Sequence, residues 1–297
     1  MTSAKTRAEF ALAGTTFIWG GTFAIVKLGM EDISPILLIA VRFVVASAFL
    51  LLLARRRIFP IPWPAVQKGI LLGFFLFLGF VTQNIGLTIT TASKSAFITG
   101  MMVLFVPMLQ FVIERRAPKL GNVLGIAVVA LGLWFLTSPE GSSFNSGDAL
   151  NLVCAILFAI YIVYLDVTSK EMTTEQLLFL QLSSIAVFSS VAVLLFETPR
   201  FAVTTQSVLT MTYLTFLATL FTTWVQTRFQ KDTTPTRAVV IFSVEPVIAS
   251  VIAYVLLGET LGYLGMFGGL LIIAGVLVSE LSDSIPLLDR SLDGSQS

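Results

Sequence analysis

The sequence predicts an all-α integral membrane protein: ten transmembrane helices in two inverted five-helix halves, with both termini cytoplasmic. Three observations carry this expectation. Of the 297 residues, 56% are hydrophobic and only 12% are charged, with a mean hydropathy of +0.93. A soluble domain carries about twice that share of charge to cover its core. Ten apolar runs, near 10–29, 35–53, 69–89, 94–113, 120–137, 148–165, 176–196, 207–228, 236–257 and 262–280, approach the roughly 20 residues that cross a bilayer. The positive charges are also asymmetric. With a cytoplasmic N-terminus, fourteen Lys and Arg fall on the inner side, three (Lys27, Lys94 and Arg200) fall outside, and Arg42 lies within a span. Positive charge of this bias on one side fits an even number of spans in a multi-pass cell (inner) membrane protein. The runs are continuous rather than alternating, which argues against a β-barrel.

The first span follows Lys5 and Arg7. It outruns a signal peptide and lacks a small-x-small cleavage site, so it reads as a membrane helix. It contains Trp19 beside Gly20 and Gly21, where backbones can approach closely. Span 2 holds Arg42 about two turns in, roughly 10 Å deep at 1.5 Å per residue. Its structural reading is snorkelling or pairing with Glu31 or Asp32; its functional reading is a partner for a substrate carboxylate. In span 3, Gln83 and Asn84 are adjacent and point to different faces, so at most one looks into a cavity and the other bonds a neighbouring helix. Spans 4, 6 and 8 add Thr99, Tyr161, Tyr164, Trp224 and Gln226. Each of these packs helices or touches a ligand.

Span 9 has the strongest anomaly, Glu245-Pro246, near the middle of an otherwise apolar run. An acid at a helix centre costs about 2.5–3.5 kcal/mol on insertion scales. Pro246 removes a backbone donor and frees carbonyls upstream, to one of which a protonated Glu245 could donate. Alternatively the break lines a polar cavity, and Glu245 meets substrate or a proton there.

The two halves, 10–137 and 148–280, repeat one another loosely. Ala96 matches Ala238, Gly125 matches Gly268, and Gly132 matches Gly275. Five spans per half require inversion, which places a site near the midplane. The pairs Gly69/Gly73, Gly121/Gly125 and Gly265/Gly269 predict tight packing, with spans 5 and 10 meeting each other or forming a homodimer seam. Residues 281–297 are expected to be a disordered cytoplasmic tail.

The composition also excludes. A net charge of +1 gives no field for nucleic acid, and the single Cys154 cannot form an intrachain disulfide. The chain has no histidine and only one acid deep in a span, which argues against an intramembrane enzyme and most zinc sites. No cofactor is implied.

The chain resembles the drug/metabolite transporter superfamily in its EamA branch, over about 10–280. The residues that carry the likeness are Trp19-Gly20, Arg42-Phe43, Thr91-Ala92-Ser93, Glu245-Pro246, Gly258-Glu259, Gly268 and Gly275. The resemblance implies a transporter, outward for many members, of small organic metabolites such as amino acids or aromatic compounds. Its alternating halves would enclose a central cavity. By position it makes Trp19, Asn84, Thr99, Tyr161, Trp224 and Glu245 candidates for substrate binding, and Glu245 the candidate for proton coupling. The first half departs from the pattern, with Val106-Pro107 in place of Glu-Pro and Glu114-Arg115-Arg116 in place of Gly-Glu. A non-transporting scaffold or helper subunit is the alternative, favoured if the interior is filled by side chains.

Overall fold

The computed structural model describes residues 4–115, 120–137, 144–260 and 262–281. Arg116, Lys119, Arg290 and all of the expected tail except Leu281 lie outside them. The described residues form helices α1 Ala4–Asp32, α2 Pro35–Ile58, α3 Trp63–Ile89, α4 Ala92–Gly100, α5 Met102–Glu114, α6 Leu120–Thr137, α7 Ser146–Thr168, α8 Thr174–Phe196, α9 Thr205–Thr212, α10 Thr222–Phe229, α11 Pro235–Phe242, α12 Glu245–Leu257 and α13 Tyr263–Leu281. A π-helical segment, Tyr213–Phe221, joins α9 to α10.

Eight helical stretches are long and apolar enough to cross a membrane; Leu120–Phe135 and Tyr263–Val278 are shorter apolar helices. Several helices outrun their apolar runs. Arg55, Arg56 and Arg57 fill the last turn of α2, where cations complement the helix dipole. Proline at the first turn starts α3 six residues before its apolar run. Large apolar side chains stay exposed on the perimeter, among them Phe10, Leu52, Trp134, Leu194 and Phe196. An apolar rim of this extent is suited to lipid rather than water.

Packing partners recur in both halves. Helix α3 packs on α7, and α1 packs on α9, the π segment and α10. Helices α4 and α5 contact α7, as α11 and α12 contact α1; α2 meets α8 and α6 meets α13 across the halves. The run 94–113 breaks after Gly100, and the run 236–257 breaks at Ser243–Val244. These positions coincide under the repeat that matches Ala96 to Ala238. Pro246 therefore does not kink a continuous helix. It stands in the first turn of α12, where its missing N–H removes no helix bond. Pro107, by contrast, lies inside α5. The breaks face each other: a Cβ on Gly100 would lie 2.9 Å from Pro246 Cγ.

Helices α6 and α13 touch backbone to backbone. A Cβ on Gly132 would stand 2.7 Å from the Gly268 carbonyl oxygen, and one on Gly275 would stand 2.7 Å from that of Gly125. The reciprocal contact uses the two glycine pairs matched in the repeat. Spans 5 and 10 thus meet each other within the chain, as the first of the two expectations had it.

The two ends of the bundle are closed differently. At the end carrying the α1–α2 and α3–α4 links, carboxylates from the second half cap helices of the first. Glu197 accepts from the Ile36 and Leu37 amides at 2.9 and 2.8 Å and from the Ser34 hydroxyl at 2.9 Å. Glu259 accepts from the Ala92 and Ser93 amides at 2.8 and 3.0 Å and from the Ser93 hydroxyl at 2.6 Å. Lys27 lies 3.8 Å from Glu259 and donates to the Thr90 carbonyl at 2.7 Å. Asp148 joins the Lys94 ammonium at 2.5 Å and the Thr90 hydroxyl at 2.8 Å. The opposite end is tied by Arg57–Glu175 at 3.6 Å, Lys68–Glu171, and Arg237–Glu9 at 3.4 Å.

Gly132→Ala and Gly275→Ala should each lower stability by about 1–3 kcal/mol, because the added methyl meets backbone that cannot yield. Gly14→Ala has nothing within 4 Å of its new methyl. It should be neutral or stabilising by about 0.5–1 kcal/mol. Thermal unfolding in detergent reads the sign difference. Glu259→Ala, which strips three donors at a helix start, should cost about 1–2 kcal/mol. Glu171→Ala breaks only an exposed pair and should change the same melting point by less than about 1 kcal/mol.

Candidate functional site

A cavity of about 80 Å³ lies between the halves, walled by α1, α2, α3, α4, α7, α10, α11 and the first residues of α5 and α12. Trp19, Thr22, Arg42, Phe80, Gln83, Thr99, Phe158, Tyr161, Gln226, Phe242 and Glu245 line it. The volume admits several water molecules and is small beside the roughly 300–1,000 Å³ of common ligand pockets.

One wall is organised by the π-helical segment. The Ala218 carbonyl accepts from the Trp19 indole at 3.1 Å, the Arg42 guanidinium Nη2 at 3.2 Å and the Thr222 hydroxyl at 2.7 Å. Arg42 Nε also donates to the Thr219 hydroxyl oxygen. The wider π turn, a feature that recurs at functional sites, offers its carbonyl to side chains from two other helices. The guanidinium carbon of Arg42 sits 5.2 and 5.0 Å from the Phe43 and Phe80 ring centroids. At 3% exposure Arg42 does not snorkel. Nor does it pair with Glu31 or Asp32, which bond Gln206 and Thr204 at the capped end. The expected structural reading of this residue is corrected on both counts.

The opposite wall is the broken span. Glu245 follows the Ser243–Val244 turn, and its carboxyl makes no hydrogen bond or ion pair among the described residues. The expected donation to a freed carbonyl is absent. Trp19 comes close because Gly20 admits α12: a Cβ there would lie 2.7 Å from Ile248 Cγ2 and 3.2 Å from the Glu245 carbonyl oxygen. The Trp19 ring meets Phe242 edge-on, with centroids 5.4 Å apart.

A buried polar chain forms the floor. The Tyr161 hydroxyl donates to Gln181 Oε1 at 3.0 Å and lies 3.4 Å from Gln226 Oε1. Gln181 donates to the Thr227 hydroxyl at 2.9 Å, Gln226 to Gln230 Oε1 at 3.0 Å, and Gln230 to the Ile162 carbonyl at 2.7 Å. Every member is paired, as burial demands.

Of the residues expected to bind substrate, Trp19, Thr99, Tyr161 and Glu245 converge on the cavity. Asn84 does not line it; its amide donates to the Pro35 carbonyl at 3.2 Å, tying α3 to α2. Its neighbour Gln83 takes the cavity face and reaches Thr99 at 3.5 Å, the limit of hydrogen-bond range. Trp224 lines a separate apolar groove with Leu50, Leu178 and Phe216. The sequence reading overlooked Gln181 and Gln230, although both are amides within or beside apolar runs. It overlooked Phe80, Phe158 and Phe242 because phenylalanine in a span carries no such signal.

Comparison with known proteins agrees with this architecture. The chain matches the EamA-like transporter family twice, over residues 6–138 and 145–281. An uncharacterized transporter of Archaeoglobus fulgidus is 31% identical over 274 residues, 92% of this chain and 86% of its own length. The uncharacterized transporter YoaV of Bacillus subtilis is 23% identical over 290 residues, covering 94% and 98%. An S-adenosylmethionine/S-adenosylhomocysteine transporter of Chlamydia muridarum is 36% identical over 96 residues, 31% of this chain and 30% of its own. A solved crystal structure superimposes with a TM-score of 0.76 at 18% identity, covering 93% of this chain and 97% of that one, a likeness of fold. With two matches that together span nearly the whole chain, and an all-helical bundle rimmed by apolar side chains, this multi-pass membrane protein belongs to the EamA-like transporter family.

Proposed function

We propose that the chain exports small organic metabolites, such as amino acids or aromatic compounds, by alternating access of two inverted five-helix halves, 10–137 and 148–280. Both termini are cytoplasmic in this reading. The capped end, with Lys27, Lys94 and Arg200, faces outward, and the end carrying the arginine cluster 55–57 faces the cytoplasm. Charge bias and the recurrence of helix partners in both halves support this arrangement. The distant similarity to S-adenosylmethionine/S-adenosylhomocysteine transporters supports a small organic cargo.

The observation that carries the site is Glu245: an acid beside a helix break, facing an interior cavity with no protein partner among the described residues. An ionisable group of this kind within the membrane marks a substrate or proton path. Glu245 takes up and releases the coupling proton. Trp19, Thr99 and Tyr161 contact cargo from α1, α4 and α7. Asn84 and Trp224 act at a distance, one holding α3 to α2 and the other outside the cavity. A cavity between the halves weighs against a packed, non-transporting scaffold.

Glu245→Gln is the decisive variant. In proteoliposomes offered a panel of amino acids and aromatic compounds under an imposed pH gradient, it should lose gradient-driven transport. It should still insert and melt like the parent protein. Full retention of pH dependence would sink the coupling role, and reporter tags placing the termini on opposite faces would sink the topology.

A further inference from the structure

Arg42 is a buried cation that meets two aromatic rings but no carboxylate among the described residues. It is 3% exposed, yet it lines the cavity and forms no ion pair among the described residues. Glu245 borders the same cavity without bonding to it. The two bonds Arg42 makes go to a hydroxyl and a backbone carbonyl. A neutral amide donor suffices for such partners, and the two rings offset only part of the cost of burying a cation, so fastening α2 to the π segment does not account for a full charge in a span where charge is costly.

The geometry shows what the charge can meet. A guanidinium carries five N–H groups in a planar fork. Nε and Nη2 are held by Thr219 and Ala218, and Nη1 makes no hydrogen bond among the described residues. The side chain is fixed at two atoms and flanked by the Phe43 and Phe80 rings. The Nη edge is therefore pre-oriented, and a planar, two-oxygen anion matches it bidentately. Leu76, Met102, Phe158 and Phe242 make the neighbouring wall apolar.

We propose that Arg42 is the docking point for a carboxylate of the transported molecule, which makes the cargo an organic acid with an apolar or aromatic body. This rests on the reading of the cavity as the transport site. Arg42 is then a specificity-determining residue: it selects for the acid group, while the aromatic wall accepts the remainder.

The test uses the purified full chain and matched pairs that differ only in charge: benzoate and benzamide, indole-3-acetate and indole-3-acetamide, hexanoate and hexanamide. At least one carboxylate should raise the melting temperature by several degrees, with its amide binding at least tenfold more weakly. In Arg42→Gln that preference should fall tenfold or more, whereas Arg42→Lys should keep part of it. If no pair favours the carboxylate, including the case in which neither member binds, the proposal is overturned. An undiminished preference in Arg42→Gln overturns it equally. Should the glutamine variant fail to fold, the wild-type pairs and the lysine variant still decide, because a purely structural arginine predicts no carboxylate preference in either. Carboxylates that bind through Arg42 but are not moved by a pH gradient would refute the coupling assigned to Glu245 and leave Arg42's role standing.

Discussion

Three donors converge on one backbone carbonyl, that of Ala218, and the cavity is arranged around it. Trp19 reaches it from α1, Arg42 from α2 and Thr222 from the next turn of the same strand of helix. In an apolar surround a polar hydrogen without an acceptor is costly, because lipid supplies none. The π-helical segment provides that acceptor at the level where the two side chains enter. Remove the wide turn and the indole and the guanidinium lose their common anchor, and with it their orientation toward the cavity.

The facing wall follows from the same constraint in another form. Both broken spans interrupt their helical ladders at matching positions, and the breaks pack on each other through Gly100 and Pro246. Glu245 begins a helix rather than sitting inside one, which is why Pro246 is tolerated beside it. Gly20 lets α1 close on this junction. Trp19 and Glu245 are thereby held on adjoining surfaces, although more than two hundred residues separate them in the chain.

Much of this was legible in the sequence. The spans, the match of Gly125 to Gly268 and of Gly132 to Gly275, the closeness available at Gly20 and the anomaly at Glu245-Pro246 all rest on composition and spacing. What escaped was helical phase. Gln83 and Asn84 are about 100° apart on their helix, and nothing local says which faces inward. Trp224 lies beyond the π segment, whose extra residue per turn rotates everything after it. That rotation leaves no mark in the pattern of apolar residues. Arg42 was placed at the right depth but given the wrong partners, since its true ones belong to a helix 176 residues later.

The capped end has a property that the glutamine floor lacks. Glu197 and Glu259 both belong to the second half, and each gathers amides and a hydroxyl from the first. Were the halves to separate there, water would replace the protein partners of both carboxylates and of the bared amides, which recovers part of the lost bonding. Such a closure behaves as a latch, because several bonds to each carboxylate must release before the end opens. The buried amide chain beneath Tyr161 has no comparable exchange while it stays dry, so the two ends of the molecule differ in how they resist opening as well as in what they are made of.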